Sequence, residues 1–403
     1  MDDISFVFVT LQRINTDRES TSTSLAKELS KNHKVLYVNP PIDRRTMLRS
    51  TNDKFISAHI DEIKRKENNL HKLDDNLWMY NPHSILESIN WIPSTKIFSM
   101  LNLVNNRRFA NEIGKAINAL GIKKYILIND KDIFRSFHLK ELLNPLYYIY
   151  LYRDYTLAFD YWKRHGRVLE PELMKKADCI VCNSHGFTEM AKGINQHSYY
   201  IGNGCNTDLF NGYVKWEKPA ELARLSGPVV GYCGALTESR LDIDLLVHIA
   251  KSRPQWNLVL VGDESPAFRK SALHHLQNVH FLGKKNTKDM PAYISHFDVC
   301  INPQTVNELT RDNYPLKIDE YLAMGRPVVA TATKAMYEVF ADHVYLADSN
   351  ESYVRNIERA LAEDNDFLKE ARVSFANTHT WKNVMGRFLN SLKMMNRDTQ
   401  LAV

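Results

Sequence analysis

Three residues between positions 312 and 320 have the types and spacing to hold a charged, hydroxylated ligand: Asp312, Lys317 and Glu320. They lie in the run D-N-Y-P-L-K-I-D-E-Y-L-A-M-G-R-P-V-V-A-T at positions 312–331. Pro315 suits the first position of a helix. Ile318, Tyr321 and Leu322 then fall at i, i+3 and i+4, the spacing of an inward face. Lys317, Glu320 and Met324 fall on another face. Gly325 is a natural C-terminal stop and Pro327 prevents continuation. The helix start near Leu316 would present free N–H groups and a positive dipole end, which together suit a phosphate. One turn in, Glu320 could accept hydrogen bonds from hydroxyls such as those of a ribose. An ordinary capped helix with Lys317 and Glu320 as a surface pair fits the same pattern.

A second group of residues points the same way. The apolar runs Val229–Cys233, 258–261 and 279–282 are followed by Gly234, by Gly262 with Asp263, and by Gly283 with Lys284 and Lys285. Glycine allows close approach of a ligand to the backbone. The cations Arg240, Lys284 and Lys285 lie in these same loops and could neutralise a diphosphate through charge-assisted hydrogen bonds. Asp242 and Asp244 open a helical stretch (Leu245, Leu246, Ile249) and read as acidic bias at a helix N-terminus rather than as a metal motif.

In the first half, Arg13, Arg18 and Arg153 are the cations near strand ends, and Asp154 follows Arg153 directly. Cys179 and Cys182 form a C-x-x-C inside an apolar run with no second pair at zinc spacing, which reads as core. His138 and His185 read as structural. The run 97–104 is almost continuously apolar and is followed by Arg107 and Arg108. It reads as a core helix with a basic end, or as a segment that touches a membrane or a lipid-linked acceptor.

The elements that must position these residues form two series. Short apolar runs alternate with helical patterns, the signature of parallel sheets with crossover helices. Strands are expected in the first half at Ser5–Thr10, 34–39, Leu77–Tyr80, 125–129, 147–151 and 179–183. In the second half they are expected at Val229–Cys233, 258–261, 279–282, Val299–Asn302, 327–330 and 344–346. The turn G-N-G at 202–204 separates the series. With 403 residues, more than one core usually accommodates, the expectation is two doubly wound domains facing a cleft. One spans residues 1–207 and the other 208–380, with a helix from about 381 to 403 crossing back to the first. Ligands in such sheets bind beyond the carboxyl ends of the strands.

Composition narrows the partners. The net charge is +5, and the cation excess sits in the first half. That suggests a phosphate-bearing acceptor or an acidic membrane surface, or else a mildly basic solvated surface. No nucleic-acid motif or basic stripe is present. Five cysteines suit a reducing compartment. Neither a signal peptide nor a spanning apolar run is seen, so the expected location is cytoplasmic, with room for peripheral contact with the inner face of a membrane.

The 312–331 run resembles the signature of retaining GT-B glycosyltransferases, above all glycosyltransferase family 4 and its relatives in bacterial polysaccharide synthesis. Members often read P-L-K-x-x-E-Y-L-A-x-G-x-P-V-V-A-T. The likeness extends to F-L-G-K at 281–284, M-P-A-Y at 290–293, F-D-V-C-I-N-P at 297–303, G-Y-C-G-A-L at 231–236 and L-V-L-V-G at 258–262. It also takes in Asn183, Ser184 and G-N-G at 202–204 with Phe210. It implies that Glu320 holds the donor ribose and that Asp312, standing where the family has a Glu, contacts the transferred sugar. The family's G-R-L-x-x-x-K pattern is met by Ala235 and Arg240, so one of two diphosphate cations is absent. Lys284, Lys317 or Arg13 are the candidates to replace it. By the same resemblance Asp154 faces the reacting sugar, the anomeric configuration is retained, and neither metal nor cofactor is needed. The implied partners are a UDP- or GDP-sugar and a saccharide or lipid-linked acceptor. The alternatives are a GT-B nucleotide-sugar epimerase and a non-catalytic GT-B binding or partner protein, the latter favoured by Ala235 and Asp312.

Overall fold

The computed structural model describes residues 4–16, 20–49 and 51–399, and Arg18 lies outside them. Two compact units are present. One comprises Met1–Asn183, Phe187–Ile201 and Met385–Val403; the other comprises Ser184–Gly186 and Gly202–Val384.

The first unit is built on β1 (Ser5–Thr10), β2 (Val35–Val38), β3 (Leu70–Asp74), β4 (Leu77–Tyr80), β5 (Tyr125–Asp130), β6 (Tyr147–Tyr152), β7 (Cys179–Cys182) and β8 (Ser198–Tyr200). Their order in the sheet is β3-β4-β2-β1-β5-β6-β7-β8. All neighbours are parallel except β3 and β4. The second unit holds β9 (Val229–Cys233), β10 (Asn257–Val261), β11 (Val279–Phe281), β12 (Val299–Asn302), β13 (Val328–Thr331) and β14 (Tyr345–Ala347), in the order β11-β10-β9-β12-β13-β14 and parallel throughout. Each sheet reverses its direction of growth once, between β1 and β5 and between β9 and β12. At such points diverging loops leave a crevice at the carboxyl edge.

Every residue of β1, β6 and β9 is buried, because crossover helices cover both faces of a parallel sheet. That double burial explains why these strands are unbroken apolar runs. Two strands escaped the expectation for the opposite reason. The β3 sequence LHKLD is exposed over its last three residues and pairs only as an antiparallel edge, and β8 has three residues. The C-terminal helix Trp381–Thr399 begins beside Gly204, where an added Cβ would stand 2.6 Å from the Trp381 ring. Farther along, Phe388 packs against Phe6 and Arg387 Nε donates to the Ile201 carbonyl at 2.6 Å.

The 97–104 run is not a core helix. It lies in the helix Thr95–Ala119, whose buried face carries Asn102, Asn105 and Asn106. Asn102 and Asn106 both donate to the Phe134 carbonyl, at 2.6 and 2.9 Å. Asn105 bridges both backbone groups of Glu87, donating to its carbonyl and accepting from its N–H. The asparagines take the inward face because the neighbouring loops present backbone groups that need partners. Ile97, Met100, Leu101 and Val104 face solvent instead.

Within β9, Gly231 is packed so tightly under Phe297 that an added Cβ would stand 2.1 Å from the ring. Both residues are buried. Gly231→Ala is expected to lower unfolding stability by about 1–3 kcal/mol through overpacking. Urea denaturation of the variant against the parent checks this, and an unchanged midpoint would contradict the packing described.

Candidate functional site

The carboxyl edge of the second sheet gathers most of the expected donor residues. Beyond β9 and β10 the chain turns at Gly234 and Gly262, with φ of +145° and +159°. The two turns touch. A Cβ on Gly262 would fall 1.8 Å from the Gly234 carbonyl oxygen, so only glycine fits there. Backbone hydrogen bonds tie the loops together: Gly234 N–H to the Val261 carbonyl, Leu236 N–H to Asp263, and Ser265 N–H to Leu236. A backbone floor results, approached at Gly234 by the Tyr232 hydroxyl and the Lys317 ammonium.

The helix Leu316–Ala323 stands beside this floor. Pro315 is its cap residue rather than its first helical residue and makes no side-chain hydrogen bond to the helix start. Ile318, Tyr321 and Leu322 are buried. Met324 is buried as well, not on the outer face with Lys317 and Glu320, because the chain bends inward before Gly325. The Tyr321 hydroxyl accepts the Cys233 N–H at 2.8 Å and thereby fixes the last residue of β9 against the helix. Asp319, wholly buried, accepts from Tyr314 and pairs with His379 Nδ1, both at 2.8 Å.

Lys317 is held in place from below. Its ammonium donates to the Tyr232 hydroxyl and sits 4.1 Å from the centre of that ring. It reaches the space above Gly234, where an added Cβ would lie 2.9 Å from Nζ. Glu320, partly exposed, lies near enough to act electrostatically on the Cys233 thiol. Burial pushes that thiol well above its ordinary range, so it carries no reactive thiolate. Thus Gly234, Gly262, Lys317 and Glu320 come together at one strand end. Asp312 lies on the loop before the helix, its carboxylate 3.9 Å from Arg311. Arg240 lies on the β9 loop, and its carbonyl accepts from Thr305 beyond β12. Gly283 and Lys284 sit past β11, two strands from β9, or about 10 Å by strand spacing. Lys285 is engaged elsewhere: it pairs with Glu221 at 2.8 Å.

Tyr232, Tyr321 and Asp319 are the site residues that sequence reading missed. The helical spacing puts Tyr321 inward, but nothing in it reveals the strand end that the hydroxyl meets. Asp242 caps its helix through Leu245 N–H at 2.9 Å, as the acidic bias suggested. Among the described residues, no cluster of three His, Cys, Asp or Glu could hold a metal ion.

At the carboxyl edge of the first sheet, Arg153 makes a paired contact with buried Asp130, Nε at 2.6 Å and Nη2 at 2.9 Å, and Nη1 reaches Asp154 at 2.7 Å. Asp154 itself has a positive φ of 50°. Arg13 is buried, with Nη2 donating to the Pro40 carbonyl at 3.1 Å and Nη1 lacking a hydrogen-bond partner among the described residues. Burial, and then the charge of Arg135, lower its pKa to about 10. His59, also buried, bonds to the Pro82 carbonyl through Nε2 at 2.9 Å. Burial, with Arg13 nearby, depresses its pKa to about 3. His138 and His185 start helices or lie beside them.

Comparison with known proteins follows this geometry. Residues 227–363 match the family model described as glycosyl transferases group 1. Over 238 residues the chain is 26% identical to a Bacillus subtilis (strain 168) protein named as teichuronic acid biosynthesis glycosyltransferase TuaH; the match spans 56% of this chain and 59% of that protein. It is 23% identical over 290 residues to a phosphatidyl-myo-inositol mannosyltransferase of Propionibacterium freudenreichii, covering 65% of this chain and 70% of that one. Among solved structures, Anabaena Alr3699/HepE in complex with UDP is similar with a TM-score of 0.64 and 15% identity, over 97% of this chain and 100% of the other.

Neutral, buried His59 gives the protein an acid-sensitive term. Its folded pKa lies below the ordinary histidine value of 6.5, so the unfolded chain binds the extra proton first. The contribution is complete above pH 6.5 and is lost as pH falls toward about 3. His59→Gln, which keeps a donor for Pro82, is expected to flatten the fall of stability across that window. Chemical denaturation at stepped pH checks this; parallel slopes for parent and variant would show that His59 is not the group responsible.

Proposed function

We propose that this chain, which has the GT-B fold and a second unit of the group 1 glycosyltransferase pattern, transfers a sugar from a nucleotide diphosphate sugar to an acceptor hydroxyl with retention of configuration. The observation that carries the reading is Lys317, whose ammonium is fixed by Tyr232 above the Gly234 backbone, beside a helix start whose cap residue, Pro315, makes no side-chain hydrogen bond.

In this reading the diphosphate rests on the Gly234 turn. Lys317, the first N–H groups of the helix and Arg240 stabilise the negative charge that grows as the anomeric bond breaks. Fixed donors of this kind act on developing charge without reorganising. Glu320, one turn into the helix, accepts from the ribose hydroxyls, and Asp312 contacts the sugar. The acceptor hydroxyl attacks from the face the leaving group departs, and a phosphate oxygen of that group takes its proton. No protein nucleophile is then needed. Ala235 removes one cation expected of the pattern, but the adjacent position is not without charge, since Lys317 reaches Gly234. That favours catalysis over a binding-only protein.

The donor carries uridine or guanosine diphosphate; HepE, of the same fold, was solved with UDP. The acceptor is a saccharide or a lipid-linked precursor of a surface polysaccharide or glycolipid. The named roles of the two relatives, in teichuronic acid synthesis and phosphatidyl-inositol mannosylation, support that class. Arg13 and Arg153 are assigned to the acceptor side, and Asp154 to the reacting sugar.

Glu320→Ala is expected to weaken binding of the free nucleoside diphosphate by about 1.5–3 kcal/mol, the range for hydrogen bonds to a charged group. Titration calorimetry checks it, and unaltered affinity in a folded variant would remove the ribose from Glu320. Arg240→Ala is expected to slow turnover more than it weakens nucleoside binding. Donor hydrolysis followed by product chromatography reads this out: release of free sugar supports transfer, an isomeric nucleotide sugar indicates an epimerase, and an intact donor indicates a binding protein.

A further inference from the structure

Gly186 is a glycine that its own backbone does not require. It is the second residue of the helix His185–Lys192, and its φ lies outside the left-handed region. What the position lacks is room. A Cβ there would stand 2.9 Å from Asp312 Cγ and 3.1 Å from Asp312 Cβ, and nearer still to Oδ1. The three closest atoms thus belong to one side chain. Two other helical glycines, Gly114 and Gly386, have open space where a Cβ would point. Gly186 and Asp312 belong to the same compact unit, Ser184–Gly186 with Gly202–Val384.

The backbone of Asp312 is held from both directions. Before it, Arg311 N–H donates to the Asn307 carbonyl at 3.0 Å, and Thr310 is buried. After it, Asn313 N–H returns to the Thr310 carbonyl at 3.1 Å, and the buried Tyr314 hydroxyl donates to Asp319 at 2.8 Å. The ion pair with Arg311 is long, at 3.9 Å, and the arginine is 64% exposed, so it does little to aim the carboxylate. The Cα of Gly186 is what the side chain rests on. With only two side-chain torsions, an aspartate on a held backbone yields to a methyl group by turning its carboxylate away.

We propose that Gly186 is a positioning residue for the transfer reaction: its bare Cα is the seat that aims the Asp312 carboxylate, and a side chain there turns the carboxylate aside. The inference rests on the reading of Asp312 as the group that contacts the transferred sugar. Space, not conformation, then accounts for a glycine where alanine would favour the helix by up to about 1 kcal/mol.

The test is hydrolysis of UDP-glucose and of GDP-mannose by the full chain. Gly186→Ala is expected to lower kcat for sugar release about ten-fold, because a small misplacement at a reacting centre is costly. Donor KM is expected to change by less than about two-fold, since the nucleotide is held by other residues. Asp312→Ala is expected to slow release at least as much. The double variant is expected to be no slower than Asp312→Ala alone, because Gly186 acts only through that side chain. With the carboxylate removed, the added methyl meets no obstruction. Gly186→Ala is therefore expected to raise the melting temperature by more in the Asp312→Ala background than in the parent. The proposal is overturned if Gly186→Ala releases sugar at the parental rate while Asp312→Ala does not. It is also overturned if the two rate losses multiply, or if the melting shift is the same in both backgrounds. If the parent releases no sugar from either donor, or Asp312→Ala keeps the parental rate, the reading of Asp312 falls and the positioning role falls with it.

Discussion

A single buried hydrogen bond sets the geometry of the donor-side edge: the Tyr321 hydroxyl accepting the Cys233 N–H. Cys233 ends β9, and its N–H needs a partner once the strand is buried. By taking it from the helix Leu316–Ala323, the fold fixes the distance between a glycine floor and a helix start. Lys317, one turn before Tyr321, then has little choice but to lie over Gly234, where Tyr232 receives it. Asp319 works from the helix's other side, its paired oxygens holding Tyr314 and His379. Glu320 sits between these two anchors and inherits its place from them.

The same logic of satisfied backbone groups explains the first unit's least expected element. In the helix Thr95–Ala119 the inward positions go to asparagines because Phe134 and Glu87 present backbone groups at its surface. Leaving such groups unpaired would cost about 1–3 kcal/mol each, more than burying one or two further methylenes would return. The apolar residues are left outside as a consequence of position, not of excess hydrophobicity in the chain.

Sequence reading was therefore strong where burial alone decides and weak where a distant partner decides. Strands covered on both faces, such as β1, β6 and β9, were legible because double burial excludes polar residues. The helix at 316–323 was legible through its spacing and its closing glycine. The exposed edge β3 was not, since pairing on one side demands little of its side chains. The orientation of residues 97–104 could not be read because hydropathy counts apolar residues without counting the carbonyls that will face them. The engagement of Lys285 with Glu221, 64 positions earlier in the chain, was invisible for the same reason.

Partner-dependence also governs what the basic first half means. Much of its cationic charge is neutralised within the fold. Lys131 is wholly buried against Glu170 at 2.5 Å, Arg153 is spent on Asp130 and Asp154, Arg135 on Asp132, and Lys140 on Asp178. A buried ion pair contributes little net field outside, because each charge is answered at contact distance before solvent intervenes. The cations that shape the outer potential are those set on surfaces where no carboxylate answers them, and among the described residues Lys96 and Arg107 are of that kind, flanking an exposed apolar stripe. A formal charge summed over half a chain thus describes composition. The field a partner meets depends on which of those charges the fold has already paired.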